Sequence, residues 1–355
     1  MPDPATHDVT LEDIRAAADG LRGHVRRTPM LPSRTAATIA GERLGIRLGA
    51  GGTAGRELAG TDHDEPCLFL KAEHLQLSGS FKPRGALNRV AHLSDDERRR
   101  GVIAISAGNH AQAVALAASR ARVAATVVMP ASASRSKVAA ARAYGAEVVL
   151  YGEHVGDAFR RLRELEAERG LFFLHPFDDP LVIAGQGTVG LEIVEQLPDV
   201  DVVVVGIGGG GLISGIASAV KRLRPGVRVY GVEPEGSDAM SRALAAGEPV
   251  TIQPVSIADG LGAPFAGTWT IPIVRRLVEE VVLVDEGLIA GGMAFALERM
   301  KQLLEPAGAA ALAAVLAGRI PLRAGETVCV VGSGGNVDLA RLPELLALAT
   351  SLTLA

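Results

Sequence analysis

Only 3 % of the 355 residues are aromatic, two are cysteine and five are lysine, at 71, 82, 137, 221 and 301. With so few rings, the core must be built from Ala, Val, Leu and Ile. Two cysteines are too few for a disulfide framework. Cys67 and Cys329 sit in the apolar runs CLFLK and TVCVV and read as buried, reduced thiols. The eight histidines are scattered, and neither H-E-x-x-H nor a paired C-x-x-C occurs, which argues against a zinc enzyme. An excess of one charge is also missing. The 36 basic and 40 acidic residues leave a formal net charge of −4, which argues against an electrostatic nucleic-acid binder or a membrane-surface protein. The opening MPDPATHDVTLEDIRAAADG lacks the basic and apolar regions of a secretory signal. The uncharged run 202–220 is long enough for a membrane span, but four glycines in its middle point to strand, loop and buried helix. A cytoplasmic, soluble protein is expected.

What is there is apolar and glycine-rich. Hydrophobic residues reach 48 % and glycines number 42, which excludes disorder for most of the chain. Val/Ile/Leu runs at 68–71, 102–105, 123–128, 146–150, 171–174, 201–206, 227–232, 280–284 and 327–331 lack polar alternation, as parallel strands buried on both faces do. Ala-rich segments at 109–121, 134–144, 153–169, 183–197, 211–223 and 287–304 have helical length between them. This rhythm is α/β. Nine strands are many for one open sheet, so two α/β domains are expected. The low-complexity stretch 45–66 reads as a surface insertion.

Three strand-to-helix junctions are rich in glycine: ISAGNHAQ (105–112), GIGGGGLISG (206–215) and VGSGGNVD (331–338). In parallel α/β sheets, ligands bind outside the carboxyl ends of the strands, where such junctions lie. Four consecutive glycines, 208 to 211, leave the amides unobstructed at a helix start, a cradle suited to phosphate. A tight turn needs fewer. Gly206, Gly208 and Gly211 also satisfy G-x-G-x-x-G, and Glu233 ends the next strand, so a nicotinamide dehydrogenase is a rival reading. A non-catalytic small-molecule binder is another.

The fourth segment is LSGSFKPRGALNRV (77–90). Pro83 fits a first helical turn, which puts Lys82 at a loop-to-helix transition. Such a setting suits covalent amine chemistry, because a helix N-terminal or cationic environment lowers the amine pKa. Lys137, Lys221 and Lys301 read as solvated charges on amphipathic helices. Lys71 reads as a strand residue that faces solvent or pairs with a carboxylate. Ser134 and Lys137 form S-x-x-K, but its companions S-D-N and K-T-G are absent.

SGSFKPRGA, SAGNHAQA, HPFDDPLVIAGQGTVGLEI, GGGGLISG, SIADGLG, LEPAGAAALAA and SGGNVD occur here in one order. In that order they resemble the fold-type II pyridoxal-phosphate enzymes, and within them the threonine/serine dehydratase and serine racemase branch. The resemblance implies two three-layer αβα domains of the tryptophan synthase β-like kind with the cofactor between them: residues 1–86 and 182–355 as the larger, 87–181 as the smaller. It implies that Lys82 forms the Schiff base with pyridoxal 5′-phosphate and that Phe81 packs beside the ring. Asn109 would bond the cofactor's 3-oxygen, Gly208, Gly209, Gly210, Gly211 and the Leu212 amide its phosphate, and Ser333 its pyridine nitrogen. Ser106, Ala107, Asn109 and His110 would surround the substrate carboxylate. The implied reaction is α,β-elimination from L-threonine or L-serine to 2-oxobutanoate or pyruvate and ammonia, in a homodimer or homotetramer. Serine racemase and 3-hydroxyaspartate dehydratase are the alternatives on the same scaffold.

Several positions depart from the family pattern. The 45–66 stretch lengthens the chain before Lys82, Pro83 replaces a commoner aliphatic residue, and Gly332 replaces a bulkier one. In the racemases of this family a serine directly before the Gly-Asn pair reprotonates the second face of the carbanion. Here that position is Ala107, so elimination is expected to dominate. A divalent cation is held in some members by the segment matching VEPEGSDAM. Glu233 matches the first carboxylate, but the second falls on Ala239, so weak or absent cation activation is expected. The chain ends soon after SGGNVD, so no regulatory domain and no isoleucine inhibition are expected.

Overall fold

The computed structural model describes residues 8–49, 67–133 and 135–352. Most of the 45–66 stretch and Ser134 therefore lie outside the described residues. Ten strands form two sheets. The strands are β1 (Met30–Pro32), β2 (Leu68–Lys71), β3 (Val102–Ile105), β4 (Ala125–Met129), β5 (Glu147–Leu150), β6 (Phe172–Phe173), β7 (Val202–Gly206), β8 (Arg228–Pro234), β9 (Glu280–Val284) and β10 (Val328–Val331). The six-stranded sheet runs β1-β2-β10-β7-β8-β9 and the four-stranded sheet β5-β4-β3-β6. Every pairing is parallel except β1 against β2. The nine apolar runs are all strands, and the tenth, β1, was not anticipated.

The lack of polar alternation has the expected cause. Val202, Val204, Val328 and Val330 pack into one core cluster, and Val203, Val205, Cys329 and Val331 into another. Alternate side chains of β7 and β10 thus enter two different cores, on opposite faces of the larger sheet. The first face is covered by the helix Pro306–Leu316, all of whose residues are buried. Alanine is the strongest helix former, and Pro306 begins the helix where its missing N–H costs nothing. The second face is covered by the helix Gly211–Leu223, which packs on Pro180–Gln196. Cys67 and Cys329 are free and buried, and burial pushes the Cys329 thiol up to about 12, so neither is a reactive thiolate.

Strand order explains how distant motifs meet. β2, β10 and β7 are neighbours, in register as Lys71↔Val331 and Val204↔Val330. Their carboxyl ends therefore deliver residues 72–82, 332–336 and 207–211 side by side. In the smaller sheet β3 and β6 are neighbours, and their ends deliver residues 106–110 and 174–177. Among the described residues, no helix is long and apolar enough to cross a membrane.

Candidate functional site

Lys82 opens the helix Lys82–Ala91, with Pro83 in its first turn. A residue after a strand end has no ladder to join, so the 78–81 segment pairs with the segment after β10 instead. Ser80 and Gly334 form an isolated antiparallel bridge, Phe81 N donates to Ser333 O at 3.1 Å, and Gly335 N donates to Gly79 O at 2.9 Å. These bonds set where the Lys82 helix starts. The Lys82 ammonium donates to Pro176 O at 3.0 Å and lies 5.1 Å from the Phe81 ring centroid. Burial lowers its pKa to about 8, against the opposing pull of Glu305. The shift favours the free, nucleophilic amine relative to an ordinary lysine.

The glycine loop lies opposite. Gly210 has φ 95°, and the helix Gly211–Leu223 that follows has no side-chain cap. Its first N–H groups have no partner within the helix and carry the positive end of its dipole. Leu212 is buried in the first turn. Phe177 lies directly on this loop: a Cβ at Gly209 would meet the Phe177 ring at 2.4 Å. The loop is buttressed from outside, since Thr270 Oγ1 donates to Gly209 O at 2.7 Å. Asp178 fixes the neighbouring turn by accepting from Thr268 N at 2.9 Å and Trp269 N at 2.7 Å.

The β3 junction supplies the third wall. Ser106, Ala107, Gly108 and Asn109 are half-buried, and Gly108 N donates to Ser106 Oγ at 3.0 Å. His110 is buried, and its Nε2 pairs with Leu174 O at 3.0 Å. Burial, with Lys82 nearby, lowers His110 to about 3, so its ring is neutral and donates to that carbonyl. The His110 ring is thus engaged with the Leu174 carbonyl, and its main-chain N–H lies in the first turn of the helix Asn109–Ala121. His175 is also neutral, lowered to about 4 chiefly by burial. Its Nδ1 accepts from Phe177 N at 3.3 Å and Asp178 N at 2.8 Å, which shapes the turn carrying Phe177.

Two site residues had no role in the sequence reading. Glu305, from the LEPAGA stretch, precedes Pro306 and accepts from Asn109 Nδ2 at 2.5 Å. Burial raises its carboxyl to about 7. Asn336 donates to Asn109 Oδ1 at 2.8 Å. Ser333 is buried, with its hydroxyl 3.4 Å from Ala307 O. The close approach of these segments needs glycine, since a Cβ at Gly308 would lie 2.1 Å from Gly334 O. The buried Ser80 hydroxyl, two residues before Lys82, has no partner among the described residues.

The Glu233 carboxylate binds the start of the helix Ala239–Ala246. It accepts from Met240 N at 2.8 Å, Ser241 N at 2.9 Å and Ser241 Oγ at 2.7 Å. Among the described residues, no group of three or more His, Cys, Asp or Glu is arranged to hold a metal ion. Lys71 does not face solvent; it is fully buried and paired with Glu192 at 2.6 Å. Lys137 pairs with Asp259 at 3.2 Å and Lys221 with Glu279 at 2.6 Å.

A low-pKa amine, an uncapped helix start behind bare glycines and an orphaned hydroxyl fit a phosphate-bearing carbonyl compound. Comparison with known proteins gives the same chemistry. The family profile "Pyridoxal-phosphate dependent enzyme" matches residues 46–334. The chain is 42 % identical over 339 residues to L-threonine ammonia-lyase of Thermotoga maritima, covering 95 % of this chain and 78 % of that protein. It is 46 % identical over 281 residues to the catabolic L-threonine dehydratase of Escherichia coli, covering 78 % and 85 %. Maize serine racemase superposes with a TM-score of 0.83 at 35 % identity, covering 96 % of this chain and 97 % of that one.

Proposed function

The chain belongs to the pyridoxal-phosphate dependent enzyme family, and on that premise we propose that it is an ammonia-lyase acting on L-threonine and L-serine. The observation that carries this reading is the Lys82 amine, lowered to about 8 and flanked by the bare loop Gly208–Gly211 and the Ser106–His110 junction. In this reading Lys82 holds the cofactor, with Phe81 beside it, and Asn109 meets its 3-oxygen. The N–H groups of Gly208–Gly211 and Leu212 hold its phosphate, and Ser333 meets its pyridine nitrogen. The division into a larger unit (1–86 and 182–355) and an inserted unit (87–181) is part of the same proposal, with the smaller sheet in the insertion.

What the bound cofactor supplies is an electron sink for the pair left at the substrate Cα. The chain's own groups do the rest. Main-chain N–H groups of the Ser106–His110 junction bind the substrate carboxylate and fix which Cα bond faces the sink. Lys82, which would hold the cofactor in the resting enzyme, would take the Cα proton of the substrate as general base. An amine with a pKa near 8 suits that transfer at neutral pH. Ser333, a neutral hydroxyl, would meet the pyridine nitrogen without protonating it, where a carboxylate would hold it protonated. A sink held that way would favour loss of the β-hydroxyl over transamination. The net reaction converts threonine to 2-oxobutanoate and ammonia, and serine to pyruvate and ammonia.

Serine racemase is the second reading, favoured by the superposition on the maize enzyme. Against it stands Ala107, whose methyl group neither gives nor takes a proton. Incubation with L-threonine, L-serine and 3-hydroxyaspartate, assayed for 2-oxo acid and by chiral chromatography, separates the two. The expected result is 2-oxo acid from threonine or serine, with D-serine a minor product at most. D-serine forming faster than pyruvate would overturn the lyase reading. Ala107→Ser is expected to gain racemisation while it keeps elimination.

The phosphate cradle has its own test. A methyl group at Gly209 must displace the Phe177 ring, an overpacking that costs about 1–3 kcal/mol. Gly209→Ala is expected to weaken pyridoxal phosphate binding by roughly tenfold or more, measured by titration of the apo protein. Unchanged affinity would show that the loop is not the cradle.

A further inference from the structure

Asn109 is held at both ends of its side-chain amide. Its Nδ2 donates to Glu305 Oε1 at 2.5 Å, and its Oδ1 accepts from Asn336 Nδ2 at 2.8 Å. Asn336 Nδ2 is itself tied to Ser78 O at 2.6 Å, and a carbonyl can only accept. The polarity of the whole chain of bonds therefore follows from chemistry. A flipped Asn109 would set its oxygen against the Glu305 carboxylate and its NH2 against that of Asn336. The three partners come from three segments: Asn109 from the β3 junction of the smaller sheet, Asn336 from the loop after β10, and Glu305 from the start of Pro306–Leu316. Glu305 is 9 % exposed, and its carboxyl oxygen fills the space a Cβ at Gly334 would need, 2.1 Å away. Glu305 N also donates to Gly334 O at 3.1 Å, which ties the acceptor's own backbone to the loop after β10.

We propose that Glu305 and Asn336 are positioning residues that lock the Asn109 amide in one orientation, so that its second N–H is held for the 3-oxygen of the cofactor. The inference rests on the pyridoxal phosphate reading of the site. Glu305 accepts one of the two Nδ2 hydrogens, and the other carries the contact to the cofactor. The lock also joins the smaller sheet to the larger across the cleft, so cofactor binding and cleft geometry depend on the same three side chains. Glu305 acts as an acceptor, and its charge is not what the lock needs. Glutamine can replace it, because Asn336 imposes the polarity from the far end.

Titration of each apo variant with pyridoxal phosphate, followed by visible absorbance, tests the lock through affinity and absorption maximum. Glu305→Gln is expected to keep affinity within about twofold and the wild-type maximum, while Glu305→Ala weakens binding roughly tenfold or more and shifts the maximum. Asn336→Asp replaces a donor with an acceptor and is expected to match Glu305→Ala. Glu305→Ala/Asn336→Ala should lose no more than the worse of Glu305→Ala and Asn336→Ala measured singly, because both act through Asn109. Thermal melts of the apo variants identify any that fail to fold, and Asn336→Asp carries the test if Glu305→Ala does. Equal loss in Glu305→Gln and Glu305→Ala, multiplying losses in the double variant, or unchanged affinity and maximum in Glu305→Ala and Asn336→Asp would overturn the lock alone. A wild-type chain that takes up no cofactor would overturn the site reading beneath it.

Discussion

Lys82→Ala is expected to lower the rate of 2-oxobutanoate formation from L-threonine by a factor on the order of 10⁴ or more, with the fold intact. Two functions are lost together. The amine that holds the cofactor is also the base that takes the Cα proton, so no second group replaces either. Few structural contacts go with it: the ammonium donates to Pro176 O at 3.0 Å and lies over Phe81. Circular dichroism should therefore match the wild type while the visible cofactor band disappears. A rate within tenfold of wild type would remove Lys82 from the mechanism.

The second large effect concerns stability and lies just behind the same helix. Arg84 is fully buried and reaches both Glu73, at 2.8 Å through Nε and Nη2, and Glu192, at 2.7 Å through Nη1 and 3.0 Å through Nη2. Lys71 bonds Glu192 at 2.6 Å, Gln196 Oε1 at 2.7 Å and Thr28 O at 2.8 Å. Two cations thus offset two carboxylates and tie the Lys82 helix to β2 and to Pro180–Gln196. Arg84→Met leaves Glu73 buried without its guanidinium, at a cost of about 3–5 kcal/mol. Urea unfolding should show a lower midpoint with an unchanged slope. Arg84→Met/Glu73→Leu should recover part of the loss, because the buried charge is removed with its partner. Burial alone would raise Glu73, but Arg84, Lys71 and Thr28 outweigh it and hold its pKa below the ordinary carboxylate value. A carboxyl depressed on folding stabilises above its unfolded value, and the contribution fades as pH falls toward the folded one. Arg84→Met should flatten that acid limb. A loss under about 1 kcal/mol would show that the cluster is not what anchors the helix.

The pattern of these two sites explains what the sequence could reveal. The helix starts at Lys82 and Gly211 were legible because their signals are local: a proline in the first turn and a run of glycines after a strand. The parallel strands were legible because burial on both faces removes polar alternation. Lys71 reads as facing solvent or pairing with a carboxylate, and the pairing holds, but its partner, Glu192, lies 121 residues away in the chain and could not be named. Nothing near Lys71 in the sequence marks a carboxylate waiting on another helix. Glu305 and Asn336 were visible within the quoted motifs, yet their relation to Asn109 arises only when the two sheets meet across the cleft. β1 was missed because it has three residues and pairs antiparallel at an edge, where Pro32 needs no ladder partner. The start of Pro180–Gln196 was misplaced to 183 although its signal was local. Asp179 accepts from Leu181 N and Val182 N ahead of Pro180 in the first turn.

The site, the reaction and the lock on Asn109 all rest on one claim: that pyridoxal phosphate is carried on the Lys82 amine. Borohydride reduction of the purified protein, digestion and mass spectrometry test it directly. The account predicts one pyridoxyl group per chain, on the peptide containing Ser-Phe-Lys82-Pro. A pyridoxyl group on Lys71 or Lys137 instead, or a reduced protein carrying none, would contradict it.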